Sequence, residues 1–318
     1  MDPLFNIEDS PRSTQRRGSG PGRSDKTVVT DRILRRHVER GGPKLTYYLY
    51  ASSRPRPNLP IFVSVHGIQR RAENQARLFA PLIEALGGTL VAPLFNRERY
   101  SGYQRLGRRG RGARSDLALH RVLADCGRWT GKTSDELVMF GYSGGGQFVH
   151  RYAMAHPRRV RRMAIAAPGW YTFPDPARPY PEGIGRTQKS LPDLQFDSAR
   201  FLQIPALVLV GENDTERDAA LNRKKHIDRK QGPHRVERSR RWVAAMTAAA
   251  RRFNYQTAYR FTTLPGCGHS FDECMTKGGM GPMVTAYLFE KIHAPGGRSY
   301  LFKFKKRPFA ADSEGDHP

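Results

Sequence analysis

A chain of 318 residues with 38% hydrophobic residues is long enough to bury one substantial core, and its 54 Lys and Arg against 29 Asp and Glu give a formal net charge of +25. No run approaches the roughly 18 apolar residues of a membrane-spanning helix, and the chain after Arg16-Arg17 reads Gly-Ser-Gly-Pro-Gly, not the apolar segment of a secretory signal. Three cysteines, Cys126, Cys267 and Cys274, are too few and too odd in number for a disulfide scaffold and fit a reducing, cytoplasmic setting.

Residues 1–26 are rich in Pro, Gly, Ser and Arg, cannot support a core, and are expected to form a disordered basic tail; residues 308–318 are expected to form a second disordered tail, of acidic character. Between them short β-type runs alternate with longer helical ones. Residues 33–39 and Leu45–Ala51, joined across Gly41-Gly42-Pro43, have the pattern of an antiparallel hairpin. Ile61–Val65 is a continuous apolar strand, followed by a helix over about 73–86, a strand over Thr89–Leu94 and an amphipathic helix over 116–129. Leu137–Tyr142, Val160–Ala166 and 206–210 are short apolar runs of the buried parallel type. Helices over 239–253 and 281–293 flank a strand over 258–264. Strands alternating with helices predict an α/β fold, a mostly parallel sheet covered on both faces, in one domain over 27–307. Residues 167–203, with six prolines and little periodicity, predict a short lid-like loop cover and not a cap domain.

The chemistry is concentrated at Gly141-Tyr142-Ser143-Gly144-Gly145, a G-x-S-x-G turn between the apolar run Leu137–Tyr142 and the helix-compatible residues 147–155. Such a turn lifts a serine into a strained, exposed position, and bulky neighbours would collide there. A serine hydroxyl is a poor nucleophile at neutral pH and needs an adjacent base. Of ten histidines, His269, in the glycine-rich Pro265-Gly-Cys-Gly-His269 loop after a strand, is placed to swing over a turn of this kind. The imidazole in turn needs a carboxylate; Asp214 directly follows an apolar strand, and Glu212 and Asp218 are neighbours that could substitute. Backbone donors for a developing oxyanion are expected at Gly144 and, after the Ile61–Val65 strand, at Ile68 in Val65-His66-Gly67-Ile68-Gln69.

An opening hairpin, repeated βα units, and an oxyanion loop, nucleophile, acid and histidine in that order resemble the α/β-hydrolase fold serine hydrolases over roughly 28–293. The resemblance implies the α/β-hydrolase fold, Ser143 as nucleophile, His269 as base, Asp214 as the acid by the family's Gly-x-x-Asp pattern, and no metal or organic cofactor. Val-His-Gly-Ile-Gln is also similar to polyhydroxybutyrate depolymerase and feruloyl esterase relatives, which implies a polyester or aryl-ester substrate within the wider class of small-molecule or polymeric acyl esters. A serine peptidase or an acyltransferase shares the same machinery.

Trp170 and Tyr171 in the loop cover, and Tyr103 and Arg105 after a strand, are candidate substrate contacts: the aromatics line an acyl pocket or pack the loop, and the arginine grips an anionic substrate or faces solvent. Residues 97–114 carry seven basic side chains and one acidic, and 223–252 eleven and two. Such clusters attract anionic surfaces or read as solvated helix faces; with no nucleic-acid-binding module alongside, the second is expected, and a non-catalytic anion-binding protein is the rival from another class. Cys267 and Cys274 flank His269, which leaves a local bridge open.

Overall fold

A computed structural model describes residues 31–290 apart from 108–111, 134–135, 186–190 and 192. Both expected tails and the end of the 281–293 helix lie outside the described residues. The strands are β1 (Leu34–Val38), β2 (Leu45–Ala51), β3 (Ile61–Val65), β4 (Thr89–Leu94), β5 (Leu137–Tyr142), β6 (Val160–Ala166), β7 (Ala206–Gly211) and β8 (Tyr259–Leu264). They form one sheet in the order β1-β2-β4-β3-β5-β6-β7-β8. The β1–β2 and β2–β4 pairs are antiparallel, and every later pair is parallel. This is the α/β-hydrolase arrangement that the sequence predicts.

Period-two alternation explains why continuous apolar strands are needed: both sides of the sheet are covered. Ile61, Val63, Val65, Leu137 and Met139 point to one face, while Phe62, Val138 and Phe140 point to the other. The first face packs on α2 (Ser115–Thr130) through Leu119 and Leu123, on α3 (Gly144–Ala155) through Phe148 and Tyr152, and on α6 (Arg235–Arg252) through Trp242 and Met246. The second packs on α1 (Ala72–Leu86) through Phe79 and Ile83, and on α8 (Met280–Phe289) through Val284 and Leu288. Short helices α4 (Ser198–Phe201), α5 (Lys225–Gln231) and α7 (Phe271–Thr276) complete the set among the described residues. None of these helices is long and apolar enough to cross a membrane.

Two expectations are corrected. The helix foreseen from residue 239 begins at Arg235, one turn earlier, where the His234 ring accepts a hydrogen bond from the Glu237 amide. The basic segment 223–252 is not wholly a solvated face, because Arg235 and Arg238 are fully buried. Arg238 is held by Asp228 at 2.6 Å and by the carbonyls of Gly232, Asn222 and Gly169. Each of its three nitrogens thus has an acceptor, which a buried guanidinium needs to offset its lost hydration.

A second buried cluster carries a stability prediction. Asp116, in the first turn of α2, accepts hydrogen bonds from Arg114 at 2.8 and 2.7 Å and meets His156 at 2.9 Å. Burial opposes its ionisation, yet Arg114 and His156 outweigh burial and hold the carboxyl at about 2, below the ordinary 3.8. A depressed carboxyl stabilises the fold above the unfolded value and loses that contribution as pH falls through the folded one. Asp116→Asn is therefore expected to cost about 2 kcal/mol at neutral pH. In urea titrations the gap to the parent chain should close as pH falls from 3.8 toward 2.

Candidate active site

The chain order of the sheet reverses at β3, which lies between β4 and β5. Loops leaving the C-terminal ends of neighbouring strands diverge at such a point and leave a crevice. The loops after β3, β5, β7 and β8 converge there, and each brings one of the residues singled out in the sequence.

Ser143 lies between β5 and α3 with φ 52° and ψ −112°, a left-handed backbone that costs a serine about 1–3 kcal/mol. Its amide is tied to the Ala166 carbonyl at 2.7 Å, and its own carbonyl starts the helix by accepting from Gln147. Gly141 is required by close approach: a Cβ there would lie 2.2 Å from the Gly145 carbonyl oxygen.

The Ser143 Oγ is 3.1 Å from His269 Nε2, and His269 Nδ1 is 2.7 Å from Asp214 Oδ2. A carboxylate beside Nδ1 places the ring proton on that nitrogen, so Nε2 presents its lone pair to the hydroxyl. The Asn213 amide donates to the Cys267 carbonyl at 2.9 Å, which staples the acid loop to the histidine loop. The Gly268 amide donates to Glu273 at 3.2 Å, and the Tyr142 ring stacks on the imidazole at 5.3 Å between centroids. Neither Glu273 nor Tyr142 was legible as part of the site. Tyr142 sits at the unspecified position of G-x-S-x-G, and its contact with His269 is purely tertiary.

The loop after β3 is clamped against the serine. Gly67 packs so closely that a Cβ on it would touch the Ser143 Cβ at 3.4 Å, and the Ile68 side chain lies over Gly144. His66 Nε2 accepts from the Phe95 amide at 2.9 Å, so its Nδ1 carries the proton and donates to the Gly67 carbonyl at 2.7 Å. Burial holds this imidazole down at about 4, and it is neutral at physiological pH. Arg70 adds hydrogen bonds to the Ile68 and Phe95 carbonyls. The role of His66 escapes sequence reasoning because a lone histidine at a strand end looks the same whether it faces solvent or clamps a loop.

A cleft of about 550 Å³ opens onto Ser143 and His269, lined by Gly67 and Ile68, by Asn74 and Gln75 of α1, by Phe271, and by Asp218. The four candidate substrate contacts do not line it. Tyr103 is fully buried; its hydroxyl donates to the His66 carbonyl at 2.9 Å and its ring stacks on Phe95. Tyr171 is fully buried, stacked on Trp242 at 5.0 Å and hydrogen-bonded to Ser239 at 3.0 Å. Trp170 is buried beneath Arg105 and Arg151, whose guanidiniums lie 5.2 and 4.5 Å from its ring centroid. These aromatics bind the cover loop to the body of the protein, which is where their large apolar area is best hidden. Arg105 is spent on the same packing.

Arg235 was missed. Fully buried at the start of α6, it donates to Asp214 Oδ1 at 3.1 Å and to both oxygens of Asp218 at 2.9 Å. Burial opposes ionisation of Asp218, but the Arg235 hydrogen bonds and charge prevail and hold its carboxyl below the usual range. Cys267 and Cys274 are free, buried thiols, so the bridge left open by the sequence is not formed; burial pushes Cys274 up to about 12.

No protein-family model matches this sequence, and no curated protein matches it. Solved structures do. The fold is similar to poly(aspartic acid) hydrolase-1 from Sphingomonas sp. KT-1, with TM-score 0.68 and 24% identity, covering 81% of this chain and 98% of that one. It is similar to a poly(3-hydroxybutyrate) depolymerase from Bordetella parapertussis, with TM-score 0.67 and 25% identity, covering 82% and 91%. An S-formylglutathione hydrolase from Agrobacterium tumefaciens follows at TM-score 0.52 and 13% identity, covering 80% and 94%. With its eight-stranded sheet and these neighbours, the chain has the α/β-hydrolase fold.

Proposed function

We propose that this protein is a serine hydrolase that cleaves a carboxylic ester or similar acyl bond through an acyl-serine intermediate. The observation that carries the reading is the continuous chain from Ser143 Oγ to His269 at 3.1 Å and from His269 to buried Asp214 at 2.7 Å, at the floor of an open cleft. His269 Nε2 takes the hydroxyl proton as Ser143 Oγ attacks the carbonyl carbon. The imidazolium is stabilised by Asp214, then gives its proton to the leaving oxygen as the acyl bond breaks. Water enters, loses a proton to the same imidazole, and releases the acid and the free serine.

The developing oxyanion falls between Gly144 and the Gly67–Ile68 turn. The amides of Ile68 and Gly144 donate to no group among the described residues, which leaves two preorganised donors for that charge. No step of this sequence calls for a metal or organic cofactor. The named substrates of two similar proteins are polymers, which supports a polymeric acyl substrate as well as a small one. Serine peptidase and acyltransferase chemistry would use the same residues, with an amide in place of the ester or an alcohol or amine in place of water.

Labelling with a fluorophosphonate probe tests the reading. The parent chain should label, and Ser143→Ala and His269→Ala should not, with circular dichroism unchanged. Continued labelling of Ser143→Ala would place the nucleophile elsewhere. A panel of 4-nitrophenyl esters, peptide amides and acyl acceptors separates hydrolase, peptidase and transferase. Salt-sensitive binding to anionic vesicles or nucleic acid with no label in the parent chain would favour the anion-binding rival.

A further inference from the structure

Asp214 is completely buried, and apart from His269 the side chain that hydrogen-bonds it among the described residues is Arg235. The side chain of Arg235 is 1% exposed and that of Asp218 is 32% exposed, on the wall of the cleft. From the imidazole outward the order is therefore carboxylate, guanidinium, carboxylate, then solvent. This arrangement is one no hydrolytic step consumes: neither Arg235 nor Asp218 hydrogen-bonds the serine or the imidazole.

The charges decide what it does. A guanidinium against Asp214 alone would cancel the negative field that an imidazolium needs as His269 takes the serine proton. A second carboxylate on the far side of that guanidinium neutralises it, so one net negative charge again faces the ring. The hydrogen bond to Oδ1 meanwhile fixes the carboxylate plane and leaves Oδ2 aimed at Nδ1. We propose that Arg235 and Asp218 are positioning residues of this site: Arg235 locks the orientation of Asp214, and Asp218 restores the field that Arg235 would otherwise remove. The proposal rests on the serine hydrolase reading above.

The surroundings of His269 contain few competing charges. From β5 come Ser143 and the neutral Tyr142 ring; from the β7 loop come Asp214 and Asp218, with exposed Glu216 at the cleft wall. Asp272, at the start of α7, is half-buried, accepts from Asn74 at 2.6 Å and is paired with Arg71 at 3.5 Å, and Glu273 is engaged by the Gly268 amide. His66, across the cleft, is neutral, and Cys267 and Cys274 are buried thiols pushed up by burial.

Removing the two positioning residues should then move the acid limb of the kcat/KM profile in opposite directions. Asp218→Asn leaves the guanidinium uncompensated, disfavours the imidazolium, and should shift the limb to lower pH by about one unit, with kcat down about tenfold. Arg235→Gln removes the cation and should shift the limb to higher pH; Arg235→Lys, which keeps the charge but loses the fork, should hold the limb and lose kcat. A residue that served only folding would change Tm and leave the limb where it was. The measurement is hydrolysis of 4-nitrophenyl butyrate in a pH-stat across the profile, with Tm recorded for each variant. Asp218→Asn is the decisive arm, being isosteric, partly exposed and able to fold whatever happens to Arg235→Gln. A downward shift in Asp218→Asn supports the proposal. An unmoved or raised limb in Asp218→Asn, with turnover lost in Ser143→Ala, overturns it and leaves the serine reading standing. Full turnover in Ser143→Ala overturns both.

Discussion

Ser143→Ala is expected to lower kcat on an activated ester by about six orders of magnitude, with KM little changed. The hydroxyl contributes only once the acyl transfer begins, so its loss falls on the reacting state and not on binding. His269→Ala should cost about as much, and the double variant hardly more, because a base without its nucleophile has nothing to deprotonate. Asp214→Asn, which keeps the shape but permits the wrong imidazole tautomer, should cost about four orders of magnitude. Additive losses across these three would mean that they do not act as a unit. Strain gives an independent check. Ser143 holds φ at 52°, and alanine keeps the Cβ that makes this unfavourable. Ser143→Gly should be as inactive as Ser143→Ala yet more stable by about 1 kcal/mol, read from chemical denaturation.

The backbone of the site was legible because it depends on short-range chemistry. A turn that needs Gly141, an acid one turn beyond an apolar strand, and a histidine in a glycine-rich loop are each local patterns, and the fold brings them together once the strands pair in the order seen. What escaped has a common cause. Tyr103, Trp170 and Tyr171 stayed open between pocket and packing because aromatic composition cannot distinguish lining a cavity from filling one. Asn74, Gln75 and Asp218, which do line the cleft, are ordinary polar residues whose position is set by how α1 and the β7 loop pack. Arg235 lay in a run of basic residues whose sum suggested a solvated surface. A charge census cannot show that one of them turns inward to meet Asp214. The helices α4, α5 and α7 are too short for a 3.6-residue period to declare itself.

The same contrast between local and tertiary constraint governs Gly145. A Cβ built on it would lie 1.9 Å from the Val65 carbonyl oxygen, 2.6 Å from the Val65 carbonyl carbon and 2.7 Å from the His66 carbonyl oxygen. All three are main-chain atoms at the end of β3, so no side-chain rotation can relieve the clash. Either α3 moves away from the strand or β3 and its loop move away from α3. In both cases the Gly67–Ile68 turn separates from Ser143 and Gly144. Gly145→Ala is therefore expected to cost about 3 kcal/mol or more in denaturant titrations. In whatever fraction stays folded, kcat should fall by about two to three orders of magnitude through loss of one oxyanion donor. Gly268→Ala is the matched control, because a Cβ there meets nothing within 4 Å although it adjoins His269. It should change stability by less than about 0.5 kcal/mol. If Gly145→Ala proves as stable and as active as Gly268→Ala, the elbow does not press on β3, and the oxyanion turn is not held by the packing described.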